Sequence, residues 1–146
     1  MKFSIGCDHG GYEYKEELVK YLKELGHEVI DCGTYSTDSC NYPEFAFKAA
    51  SLVGKGEADR GIVICRSGVG VSICANKVKG VRCVLAYNPR VAMLSREHNN
   101  ANMIAFGADY FTLDEVKEML NNFIKTEFAG GKHEVRVDMI NKFENK

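Results

Sequence analysis

The sequence carries almost no net charge: 19 Lys and Arg stand against 20 Asp and Glu, for a formal charge of −1. That balance argues against bulk electrostatic attraction to nucleic acid or to an acidic membrane surface. No apolar run approaches the length that crosses a bilayer. The opening Met1-Lys2-Phe3-Ser4-Ile5-Gly6 turns polar too soon for a secretory leader, so a cytoplasmic location is expected. No CxxC pair and no Cys/His cluster with zinc spacing occurs, which argues against a dithiol redox centre and a structural zinc. The GxxxxGK[ST] phosphate loop is missing. A dinucleotide fingerprint is missing too, because the paired glycines after the third apolar run lack a third at the required spacing. There is no linker, repeat or low-complexity segment.

What is present fits one domain spanning residues 1–146. A chain of that length buries a core without disulfides or metals. The 6 cysteines (Cys7, Cys32, Cys40, Cys65, Cys74 and Cys83) mostly sit in or beside apolar runs. They are expected to be reduced and packed as small hydrophobes, with Cys65 set apart below.

Short apolar runs alternate with amphipathic stretches. Strands are expected at 2–6, 28–31, 61–65, 82–86 and 102–106. Helices are expected at 13–25, 43–53, 70–79, 89–97, 113–126 and about 132–143. Leu18, Val19, Leu22 and Leu25 recur at helical spacing, with Gly26 as a stop. The two prolines, Pro43 and Pro89, each open a helix, and Gly54 is expected to end the one that Pro43 opens. Gly61-Ile62-Val63-Ile64-Cys65 is unbroken, as in a strand buried on both faces. Five βα units in series predict a parallel sheet covered by helices on both sides. The Gly130-Gly131 joint is expected to release the last helix to pack elsewhere. Ligands of such a sheet sit beyond the carboxyl ends of the strands.

The segments at those ends carry polar chemistry. Asp8, His9 and two glycines follow the first strand; a carboxylate and an imidazole there suit sugar hydroxyls, although Asp8 also fits a plain helix cap. Tyr42 stands at a helix entry, as a pocket wall or a packing residue. After the third strand, Cys65-Arg66-Ser67-Gly68-Val69-Gly70 runs into a helix, whose N–H groups and positive end suit a phosphate or an oxyanion. A thiol facing such a turn is held more readily as thiolate, whereas a core cysteine is the competing reading. His98 and Asn99 close the fourth helix, as acid–base candidates or as solvent-facing cap residues. Lys132 and Arg136 share a face of the last helix, as a phosphate clamp or a solvated basic face.

In this order these segments resemble the type B ribose-5-phosphate isomerase family, which includes the galactose-6-phosphate isomerase subunits. The resemblance runs from the first strand to the last helix. It rests on Gly6-Cys7-Asp8-His9-Gly10-Gly11, Asp31-Cys32-Gly33-Thr34, Tyr42-Pro43, the third strand, and Ser67-Gly68-Val69-Gly70-Val71-Ser72-Ile73 with Ala75-Asn76-Lys77. Ser95-Arg96-Glu97-His98-Asn99 and Gly130-Gly131-Lys132-His133 complete it.

The resemblance implies a doubly wound, Rossmann-like α/β/α sandwich with a five-stranded parallel sheet and a C-terminal helix. It implies aldose–ketose isomerisation of ribose 5-phosphate, with no metal and no cofactor. It also implies a homodimer whose sites are shared between subunits, with a tetramer of paired dimers as the alternative assembly. Cys65 matches the general base and His98 the ring-opening residue. Asp8 and Tyr42 match sugar contacts, and Ser67 with Gly68, Val69 and Gly70 matches the anion-holding turn. His9 and Arg136, with Lys132 beside them, match phosphate contacts, and Asn99 a substrate contact. Arg66 stands where many members have Gly, and is expected as a long cation at the site's lip that contacts substrate and tunes substrate preference; Lys132 stands where many have Arg. Rival expectations are the same chemistry on allose 6-phosphate or galactose 6-phosphate, a sugar-phosphate-binding module without turnover, and a cysteine-nucleophile hydrolase or redox enzyme.

Overall fold

A computed structural model describes all residues, Met1–Lys146. The strands are β1 (Lys2–Cys7), β2 (Glu28–Asp31), β3 (Arg60–Cys65), β4 (Cys83–Leu85) and β5 (Met103–Gly107). The helices are α1 (Tyr12–Glu24), α2 (Tyr42–Gly54), α3 (Val69–Asn76), α4 (Pro89–Asn99), α5 (Leu113–Lys125) and α6 (Lys132–Glu144). All strands are parallel, in the order β2-β1-β3-β5-β4.

Period-2 alternation divides the core. Phe3, Ile5, Ile62, Ile64, Ile104 and Phe106 face Leu18, Leu22, Ala92, Met119, Leu120 and Phe123 of α1, α4 and α5. Val63, Cys65, Met103 and Ala105 face Ala46, Ala49, Ala50, Val71 and Ala75 of α2 and α3. The expectation of helices on both faces is met, and β3 is apolar throughout because each of its faces meets a core. Burying one such Leu or Ile stabilises the fold by about 1.5–3 kcal/mol. The α2 face is thin. A Cβ on Gly6 would sit 2.6 Å from the Phe45 carbonyl oxygen, so glycine lets α2 lie close to the sheet.

Several boundaries differ from those expected, each for a local reason. The chain after α2 turns at Gly56 (φ 76°), while Gly54 is the last helical residue. α3 stops at Asn76, not near Lys79. The Asn76 amide donates to the Ser72 and Cys83 carbonyls and accepts from the Cys83 N–H, ending the helix and tying it to the sheet edge. β4 is accordingly reduced to three residues. The joint at Gly130 and Gly131 (φ 69° and 57°) turns α6 back onto α4 of its own chain, with Val137 as its only buried residue.

β1 and β3 leave the sheet centre in opposite windings, which makes the gap between their carboxyl ends the place where a crevice opens. Cys7 pairs with Ile64, and Cys65 with Gly107, so the β1, β3 and β5 ends lie level.

Candidate active site

At that switch point lies a cleft of about 580 Å³. Asp8, His9, Tyr42, Cys65, Arg66, Ser67, Val69 and Gly70 line it, as the sequence leads one to expect. Ile73, Asp109 and Tyr110 line it as well.

Cys65 is 6% exposed, and its sulfur accepts a hydrogen bond from the Gly68 N–H at 3.1 Å. Gly68 takes φ 80°, a left-handed conformation that suits glycine, and a Cβ there would meet Leu85 and Phe106 at 2.8 Å. The turn is pressed from behind by Gly107, whose added Cβ would lie 2.5 Å from the Ser67 carbonyl oxygen. Backbone geometry thus delivers an N–H to the sulfur at the amino end of α3. Burial pushes the Cys7 thiol up to about 12, so the neighbouring strand's cysteine stays a packed thiol.

The turn expected to hold an anion spends two of its N–H groups within the chain. Gly68 N–H is committed to Cys65, and Val69 N–H to Ser67 Oγ at 3.2 Å. The N–H groups of Ser67, Gly70 and Val71 have no acceptor in the chain.

Asp8 holds its own loop: Oδ1 accepts from Gly10 N–H at 2.9 Å and Gly11 N–H at 3.2 Å. Its other oxygen accepts no bond in the chain. His9 Nδ1 accepts from the Cys40 N–H at 3.3 Å, which leaves the proton of the neutral ring on Nε2. The Tyr42 ring covers Gly70, where an added Cβ would meet it at 2.7 Å.

His98, Asn99, Lys132 and Arg136 are not in this cleft. α4 runs back down the sheet and ends just before β5 begins, where Gly61 N–H donates to the Asn102 carbonyl. Cys65 lies four residues further along β3, about 13 Å at ~3.3 Å per residue. His98 is therefore at the opposite end of the sheet. There its ring stacks on His133, with centroids 4.2 Å apart and planes at 11°. His133 is held below its ordinary value by desolvation and by the charges of His98, Lys132 and Arg136. Arg96 underpins this corner: buried against Phe123, it donates to Thr126, Asn100 and Ala101 and so ties the ends of α4 and α5 together. Burial, then Arg60 and Arg82, lowers its pKa to about 10.

The family model described as Ribose/Galactose Isomerase matches residues 3–140. The chain belongs to that family. Its relatives include ribose-5-phosphate isomerase B of Escherichia coli, 43% identical over 99% of this chain and 97% of the relative. A solved structure of the Clostridium thermocellum isomerase B superposes with a TM-score of 0.97 at 48% identity, covering 99% and 98% of the two chains. The Mycoplasma genitalium isomerase B, solved with bound ribulose-5-phosphate, gives 0.96 at 37% identity, covering 99% and 97%. The doubly wound α/β sandwich is that of the family.

Asp109 and Tyr110 were missed because Ala108-Asp109-Tyr110 forms no motif. The signal was positional: they follow β5, one of the strand ends where ligands of such sheets bind. The role of Cys40 was equally hidden, since its backbone does the work. No group of three or more His, Cys, Asp or Glu is placed to hold a metal ion. No helix is long and apolar enough to cross a membrane.

Proposed function

We propose that this isomerase-family chain interconverts D-ribose 5-phosphate and D-ribulose 5-phosphate through an enediolate. The observation that carries the reading is the Cys65 sulfur, bonded by the Gly68 N–H, on the floor of a cleft with free N–H groups beside it. The bound ribulose-5-phosphate of the Mycoplasma genitalium relative supports the substrate.

Cys65 thiolate takes the proton from carbon 2 of the open aldose and returns it to carbon 1. The negative oxygen rests on the free N–H groups of Ser67, Gly70 and Val71; one such donor contributes on the order of 3 kcal/mol. His98 moves the proton that opens the furanose ring. Asp8 and Tyr42 hold hydroxyls and ring, Asn99 adds a substrate contact, and His9, Arg136 and Lys132 hold the phosphate. Fixing the phosphate keeps carbons 1 and 2 at the thiolate. Because His98 and the cations sit at the far end of the sheet from Cys65, this assignment requires a homodimer in which one subunit's α4–α6 corner completes the other's cleft. Exposed Val135, Met139, Ile140 and Phe143 on α6 support such an interface. The six free cysteines suit a reducing, cytoplasmic setting, and residues 1–146 act as one catalytic domain.

The test is turnover of ribose 5-phosphate, allose 6-phosphate and galactose 6-phosphate by the wild type. Ribose 5-phosphate is expected to lead in kcat/KM. A six-carbon substrate in the lead would move the reading within the family. Binding of all three without turnover would make the protein a sugar-phosphate sensor.

A further inference from the structure

Arg66 leaves the end of β3 next to Cys65 and touches the loops on both sides. Its stem lies across the β1 loop: a Cβ on Gly10 would sit 2.5 Å from Arg66 Cγ. Its Nη1 lies 3.5 Å from Asp109 Oδ1 in the β5 loop, and the Asp109 N–H donates to the Arg66 carbonyl at 3.0 Å. One side chain therefore spans the three loops that frame the cleft. Arg66 is also the only Lys or Arg lining that cleft, which carries the carboxylates of Asp8 and Asp109.

We propose that Asp109 is a positioning residue that determines substrate length: by pairing with Arg66 it holds that side chain as a strap on the cleft wall, away from the substrate phosphate. This rests on the isomerase reading above. With Arg66 occupied, the phosphate must reach the cations placed elsewhere, at one fixed distance from Cys65. A six-carbon substrate carries its phosphate one carbon further from carbons 1 and 2, so it fails to satisfy both ends. Released from Asp109, the long Arg66 side chain follows a phosphate at either distance, and the discrimination falls. Both side chains are about half exposed or more (61% and 49%), so the pair is weak and the expected effect is about three- to five-fold.

The experiment measures Kd for ribose 5-phosphate and allose 6-phosphate by calorimetry at low salt, in Cys65→Ala protein to prevent turnover. Adding Asp109→Asn is expected to shift the Kd ratio three- to five-fold toward allose 6-phosphate, while Asp109→Glu keeps the parent ratio. In an Arg66→Gly background, Asp109→Asn is expected to leave the ratio alone, because Asp109 acts through Arg66. A ratio that does not move with Asp109→Asn overturns the proposal, and so does an equal shift without Arg66. Retained turnover in Cys65→Ala would refute the base assignment alone, since kcat/KM ratios of the same Asp109 variants would then decide the strap. Failure of the wild type to bind either sugar phosphate refutes both.

Discussion

At the carboxyl end of β3, Cys65 is almost fully buried and its turn is clamped by Gly68, Gly70 and Gly107, each of which excludes a Cβ. At the other end of the sheet, His98 and His133 stack with the His98 side chain 40% exposed, and Lys132 and Arg136 stand in the open. The first region is preorganised by its backbone. The second is held firmly beneath, by Arg96, and its His98, Lys132 and Arg136 lie outside the cleft of their own chain. The difference teaches that one chain keeps these groups apart: Cys65 lies in a cleft at one end of the sheet, and His98 stacks on His133 at the other, so the proposed chemistry needs both ends brought together by a second copy.

The sharpest break concerns the base. Cys65→Ala is expected to lower kcat by 10²–10⁴-fold, as for loss of a general base, while ribose 5-phosphate still binds. A variant keeping more than about a tenth of the wild-type rate would remove Cys65 from the chemistry.

The division itself is tested by mixing Cys65→Ala with His98→Ala protein under subunit exchange. About half of randomly paired dimers are mixed, each with one intact site, so activity is expected to climb from background to about a quarter of wild type. Background activity despite proven mixed dimers would mean that each site is built within one chain.

Preorganisation of the cleft is tested at Gly107. An alanine there must displace the Ser67 carbonyl, so Gly107→Ala is expected to cost about 10-fold or more in kcat. His98→Ala does not disturb the turn. Unchanged kinetics in Gly107→Ala would show that the clamp is not needed.

The smallest effect lies outside both regions and serves as their control. Lys15 is fully buried at its Nζ and bonds Asp31 at 2.7 Å and Glu16 at 2.9 Å. Burial opposes its charge, but Asp31 and Glu16 outweigh that and hold its pKa above 10.5. A raised folded value means that the contribution is complete below about pH 10.5 and is lost as pH climbs through the folded pKa. Lys15→Met is expected to destabilise by about 2 kcal/mol, less than a fully buried pair because Asp31 remains part-exposed. Chemical denaturation should give the same difference at pH 6 and pH 8, and kcat should not change. A difference that varies across that window would contradict the assignment.

Much of the fold was legible because hydrophobic periodicity is local. Leu18 and Leu22 on one helix stripe, and the unbroken Ile62-Val63-Ile64, report burial through their own neighbours in sequence. The ends were less legible. Asn76 ends α3 by bonding Cys83, and no pattern in the helix announces a partner across the sheet edge. In the cleft, Asp8, Cys65 and Ser67 were readable because each ends a strand or lies within two residues of its end, inside a recognisable polar or glycine-rich motif. Asp109 was not, because Ala108-Asp109-Tyr110 forms no motif and its pairing with Arg66 joins residues far apart in the chain.

The sequence by itself therefore determined the sheet, its two covering layers and the chemical character of each strand end, since those follow from residue type and spacing along a continuous chain. Only the tertiary structure decided which polar groups meet. Strand direction sends Cys65 to one end of the sheet and the end of α4 to the other, so His98 joins His133, not the thiol. Side-chain reach and a glycine without a Cβ let Arg66 cross from β3 to both neighbouring loops. These are distances through space, and residue order along the chain does not contain them.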